Sequence, residues 1–214
     1  LPYILVGQSL GGFTVRMFAS QYPDEVVGIV LVDSGHEDQL ERLPAEYLRL
    51  NDRQESYFNI LGFMSRFGIL RLIGNSSNGA NFAPPQVSKL PTDIQSLYLM
   101  MMSHPSYFDT TLAELHVLPE TAAQVRATGS LGDLPLIVLT AENTLDPAAL
   151  QSMGLPADFD TTQIQQTWLE LQAELAALST NSAHIIVKDS THAIELDKPD
   201  IVIKAILNMI DMVR

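Results

Sequence analysis

The chain has no cysteine and a single tryptophan among its 214 residues, and aromatic residues make up only 7% of it. Without a thiol there is no disulfide framework and no thiolate metal centre, and cysteine usage leaves the redox compartment undetermined. Positive charge is also scarce. Twelve Lys and Arg stand against 25 Asp and Glu, a formal net charge of −13. Such a surface repels phosphate backbones and anionic headgroups, which argues against nucleic acid and anionic membranes as partners. No apolar run is long enough to span a bilayer, and no signal-peptide pattern is found. Internal repeats and low-complexity tracts are lacking as well. What is there, 46% hydrophobic and 17% charged residues, supplies a sizeable buried core.

The densest information lies in the first dozen residues, Leu-Pro-Tyr-Ile-Leu-Val-Gly7-Gln8-Ser9-Leu10-Gly11-Gly12. A short apolar run stops at Gly-x-Ser-x-Gly, and a helical pattern comes directly after it, from about Leu10 to Gln21, ending before Pro23. Strand, tight turn and helix in that order make a common five-residue pattern specific. The turn holds its central residue in a strained conformation that lifts the hydroxyl clear of the backbone. Gly7 and Gly11 are expected to leave room for strand and helix to approach. Ser9 is thus the candidate nucleophile. The backbone N–H of Leu10, at a helix start, is the candidate donor to an oxyanion.

On these residues the chain resembles the α/β-hydrolase superfamily, and the elements downstream of Ser9 keep that family's order. Val26–Asp33 reads as a strand buried on both faces, Leu134–Thr140 as the next, and His184–Val187 as the last. A final helix is expected from about Lys198 to Val213, with Ile201, Ile203, Ile206, Met209 and Ile210 on apolar faces. Strands alternating with helices imply an α/β fold, a parallel sheet flanked by helices. The resemblance implies a hydrolase core from residues 1–33 and 134–214, with a helical cap inserted at 34–133. It also implies that further strands and an oxyanion loop, often His-Gly, precede the serine strand. The expectation is therefore an N-terminally incomplete hydrolase of low activity. Its exposed Pro2–Val6 edge would pair with the missing half or with a second copy.

A serine needs a base and an orienting carboxylate. His192, in Asp189-Ser190-Thr191-His192-Ala193 between the last strand and the last helix, lies where the superfamily places its base. Thr191 stands where a small residue is usual. His36 and His104 fall in the insertion, His116 precedes a proline-containing segment, and His184 starts a strand. For the acid, the superfamily offers two positions. One is the loop after the penultimate strand, which here carries Glu142 and Asp146. The other is the end of the strand after the nucleophile helix, which carries Asp33, 24 residues beyond Ser9. Asp33 is favoured, and the other two stay open.

The insertion reads as helical segments around 45–50, 57–64 and 94–102, with loops at Asn75–Gly79 and Pro84–Pro85. Its methionines and aromatics suit either an acyl pocket or simple packing. Beyond it, Gln151–Asp160 reads as loop and Thr161–Leu178 as a helix, with Trp168, Leu171, Leu175 and Leu178 facing the core. His36-Glu37-Asp38 lacks the spacing of a metal site. The expected chemistry is acyl transfer from a small ester, thioester or lactone to water, through Ser9, His192 and Asp33, with no cofactor and no metal. A serine at the turn argues against epoxide-hydrolase and dehalogenase chemistry, which uses aspartate there. The alternative is a non-catalytic binding or assembly fragment of the same fold.

Overall fold

The computed structural model describes residues 2–74, 85–145 and 160–214. The chain divides into two compact units. One takes residues 2–44, 119–145 and 160–214, and the other takes 45–74 and 85–118. The helical unit is narrower than the 34–133 insertion expected from the sequence.

In the first unit, β1 (Tyr3–Gln8) leads into α1 (Gly11–Gln21), and a single 3₁₀ turn at Pro23–Glu25 leads into β2 (Val26–Val32). A short α2 (Gln39–Arg42) comes after β2. After the helical unit the chain returns through α7 (Leu118–Arg126) to β3 (Leu136–Ala141). It then runs through α8 (Thr162–Ala177), β4 (Ser182–Val187), a short α9 (Ile194–Asp197) and α10 (Pro199–Met212). The four strands are all parallel and lie in the order β1-β2-β3-β4. Strand alternation sends Val30, Val32, Ile137 and Leu139 to one face, against Val202, Ala205 and Met209 of α10. Ile29, Leu31, Leu136 and Val138 point the other way, against Ala19 of α1 and Leu175 of α8. Met209 fits because residue 28 is glycine: a Cβ there would collide with the Met209 sulfur.

Burial is uneven in the last strand and the last helix. β4 starts at Ser182, so His184 lies inside the strand, and all its residues but Val187 are exposed. Among the described residues it pairs only with β3, and its apolar run borders solvent as an edge strand does. On α10, Met209 is fully buried but Ile203 is 57% exposed, because a helix lying on a sheet hides one stripe only.

The helical unit is built from α3 (Ala45–Arg66), α4 (Ile69–Gly74), α5 (Thr92–Met102) and α6 (Pro105–His116). A 3₁₀ segment, Pro85–Lys89, precedes α5. The two segments read at 45–50 and 57–64 are one 22-residue helix. Phe58 of α3 meets Phe108 of α6 edge-on, and Gly62 sits against the Phe108 side chain. No described helix is long and apolar enough to cross a membrane. The loop read at Asn75–Gly79, Pro84, and all but the last residue of Gln151–Asp160 lie outside the described residues.

Candidate active site

Parallel pairing brings the C-terminal ends of the strands, and the turns beyond them, to one rim of the sheet. β1 delivers Ser9, β2 delivers Asp33, and the turn after β4 delivers His192. Ser9 has φ +52° and Asp33 has φ +42°, left-handed conformations that cost about 1–3 kcal/mol each in a non-glycine residue. Surrounding bonds hold both. Ser9 N–H donates to Val32 O at 3.2 Å, and Ser9 O accepts from Gly12 N–H and Gly35 N–H. Asp33 N–H donates to Leu139 O at 2.7 Å. The expectation for the glycines is half corrected. A Cβ on Gly7 would press on Gly11 and Gly12 backbone at 2.7–2.8 Å, whereas one on Gly11 would meet no described atom within 4 Å. The second crowded position is Gly12, whose Cβ would collide with the Ser34 side chain.

The three side chains form one hydrogen-bonded line. His192 Nε2 lies 2.9 Å from Ser9 Oγ, and His192 Nδ1 lies 2.7 Å from Asp33 Oδ2. Asp33 is fully buried, and its Oδ1 accepts from Ala141 N–H at 3.0 Å and Trp168 Nε1–H at 2.9 Å. His192 is 39% exposed, so solvent reaches the base while its carboxylate stays dry. The His192 turn is pinned from several sides. Gln8 donates to His192 O, Asp197 accepts from both the N–H and the hydroxyl of Thr191, and Ser190 O accepts from Asn143 N–H. Thr191 therefore fits by anchoring the turn to the end of α9. An imidazole so placed can take the hydroxyl proton while the buried carboxylate stabilises the resulting cation. Leu10 lies directly after Ser9 at the start of α1.

The remaining candidates lie elsewhere. Glu142 accepts from Asp189 N–H at 2.9 Å and does not bond to His192, while Asp146 lies outside the described residues. His104 caps α6, His116 pairs with Glu55, and His184 bonds to Thr140 Oγ1. His36 is buried, and burial lowers its pKa; its Nδ1 accepts from Asp38 N–H. With Asp38 and Glu174 it forms a cluster close enough to hold a cation. Both carboxylates are already engaged, Asp38 by Arg126 and Glu174 by Arg42, so the cluster reads as an ion-pair network. A cavity of about 570 Å³ opens at the opposite end of the strands, by Pro23, Val26, Leu131 and Pro135, away from Ser9.

Sequence reasoning missed the polar role of Trp168, which it read as core alone. The signal was present: a buried indole needs an acceptor for its N–H, and this is the only tryptophan in the chain.

Residues 2–62 match the family model for the alpha/beta hydrolase fold. The abhydrolase domain-containing protein abhd-5.2 of Caenorhabditis elegans is 28% identical over 94 residues, 44% of this chain and 19% of that protein. Among solved structures, lip1 of Acinetobacter baumannii AYE, assigned as a lipase, superposes with a TM-score of 0.56 at 20% identity. The match covers 99% of this chain and 61% of that one. A structure from a study of carboxylesterases of Nitrososphaera gargenis gives a TM-score of 0.53 at 14% identity, covering 98% and 65%. The chain has the α/β-hydrolase fold. It spans less than two thirds of the length of these relatives.

Proposed function

We propose that the protein is a serine hydrolase that cleaves an ester-like bond, a carboxylic ester, thioester or lactone, through an acyl-enzyme. The observation that carries this reading is the unbroken line from Ser9 Oγ through His192 to the buried Asp33. Ser9 Oγ attacks the carbonyl carbon as His192 Nε2 takes its proton, and Asp33 steadies the imidazolium. Leu10 N–H donates to the developing oxyanion. The tetrahedral intermediate collapses as His192 returns the proton to the departing alcohol or thiol. Water, deprotonated by the same imidazole, then attacks the acyl carbon and frees the acid and Ser9. No step calls for a metal or cofactor.

The helical unit stands between β2 and β3 in sequence, where the superfamily carries its cap, and we assign it that part. We also assign the edge of β1 that pairs with no described strand as the place where a further strand adds. Turnover of p-nitrophenyl esters of graded acyl length tests the chemistry. Ser9→Ala and His192→Ala are each expected to lower kcat at least about 1,000-fold without unfolding the chain. Turnover by Ser9→Ala equal to that of the unaltered protein contradicts the proposal.

A further inference from the structure

A carboxylate that orients a histidine must keep one oxygen aimed at the ring, yet its terminal torsion is broad and roughly two-fold. In this protein the second oxygen is tied down. Asp33 Oδ1 accepts two hydrogen bonds from different elements, Ala141 N–H at the end of β3 and the Trp168 indole N–H on α8. Oδ2 is the atom that remains for His192 Nδ1. The backbone donor fixes one point, and the indole fixes the plane about it. Indole only donates, so it cannot exchange roles with the carboxylate or compete for the imidazole proton.

Trp168 is itself held rigidly. It is 5% exposed, and its ring meets His192 edge-on, with centroids 6.3 Å apart and planes at 80°. On the same face of α8, Gln165 accepts from Thr144 N–H at 2.9 Å, and Gln172 donates to Ser34 O at 2.6 Å. Positions 165, 168 and 172, spaced three and four apart, thus fasten α8 to the chain just after β3 and just after β2. We infer that Trp168 is a positioning residue, whose indole N–H locks the Asp33 carboxylate in the rotation that presents Oδ2 to His192. This rests on the hydrolase reading above.

Because the chain has one tryptophan, biosynthetic replacement by 3-benzothienylalanine alters position 168 alone. The analogue keeps the bicyclic shape and puts sulfur in place of N–H. Expected are a retained fold by circular dichroism, kcat lower by about 10- to 100-fold and an unchanged KM. The far-downfield proton resonance of His192 Nδ1, assigned by its loss in His192→Ala, should shift or broaden. Trp168→Phe should change kcat in the same direction. A benzothienylalanine protein with unaltered kcat and an unmoved resonance overturns the inference, since mere packing survives that exchange. The resonance needs no turnover. If it moves while neither form hydrolyses any ester, the positioning role stands and the hydrolase reading falls.

Discussion

At the scale of single residues, the site depends on charged and polar groups withdrawn from water and matched with partners. Asp33 is buried with three donors around its two oxygens, and Glu142 serves a turn instead. Steady-state kinetics should therefore separate them. Asp33→Asn is expected to lose about 10,000-fold in kcat, since an amide favours the wrong imidazole tautomer, whereas Glu142→Gln should change it only a few-fold. Asp146→Asn belongs in the same series, and a larger loss there than at Asp33 would reassign the acid. A second buried pair lies beside the rim. Arg16 is 1% exposed and grips Glu37 through both carboxylate oxygens, at 2.5 and 2.8 Å. Burial alone would raise the Glu37 pKa, but the Arg16 hydrogen bonds and charge outweigh it and bring the pKa down to about 2. A depressed carboxylate stabilises the fold above its unfolded value, 4.5, and that contribution fades as pH falls from there through about 2. Glu37→Gln should cost about 3–5 kcal/mol at pH 7, because it strands a buried guanidinium. Urea denaturation across pH should show this difference shrinking between pH 4.5 and 2; a difference independent of pH would refute the linkage.

At the scale of elements, much was legible because local signals agreed. The apolar run of β1, the glycines around Ser9, Pro23 after α1 and the β-branched run of β2 all point one way, and those elements lie within a residue or two of their expected bounds. Asp33 was legible because it closes β2. The rest depended on tertiary context. Ile185 and Ile186 look like a buried strand, but only the sheet order shows that β4 has one neighbour among the described strands. The polar stretch Asn51–Ser56 hid the continuity of α3, where helical geometry carried through despite a break in the apolar pattern. Nothing local in the sequence marks Arg16 and Glu37 as partners, since they pair across 21 residues. The glycine turn gives this scale its own test. Gly7→Ala should unseat the Ser9 turn and lower both stability and turnover, by about 1–3 kcal/mol in stability, because its methyl meets backbone that cannot yield. Gly11→Ala, facing open space, should be nearly neutral in thermal melts and ester assays. Equal effects at the two sites would contradict the packing argument.

At the scale of the whole molecule, an acidic chain carries a four-stranded sheet whose first strand, among the described residues, pairs on one side only. Tyr3 and Val6 of that strand are 51% and 43% exposed, and an apolar edge of this kind recruits further strands. Light scattering of the 214-residue chain should show concentration-dependent association that Val6→Lys weakens; a monomer at all concentrations would speak against it. Association is secondary to the convergence of Ser9, Asp33 and His192, three side chains up to 183 residues apart, at a single rim. Incubation with a fluorophosphonate probe, then peptide mass spectrometry, tests that convergence most directly. One phosphonylated residue is expected, Ser9, with labelling abolished by Ser9→Ala and strongly slowed by His192→Ala. Absence of labelling on Ser9 in the folded protein, or labelling as fast without His192 as with it, would refute a working triad.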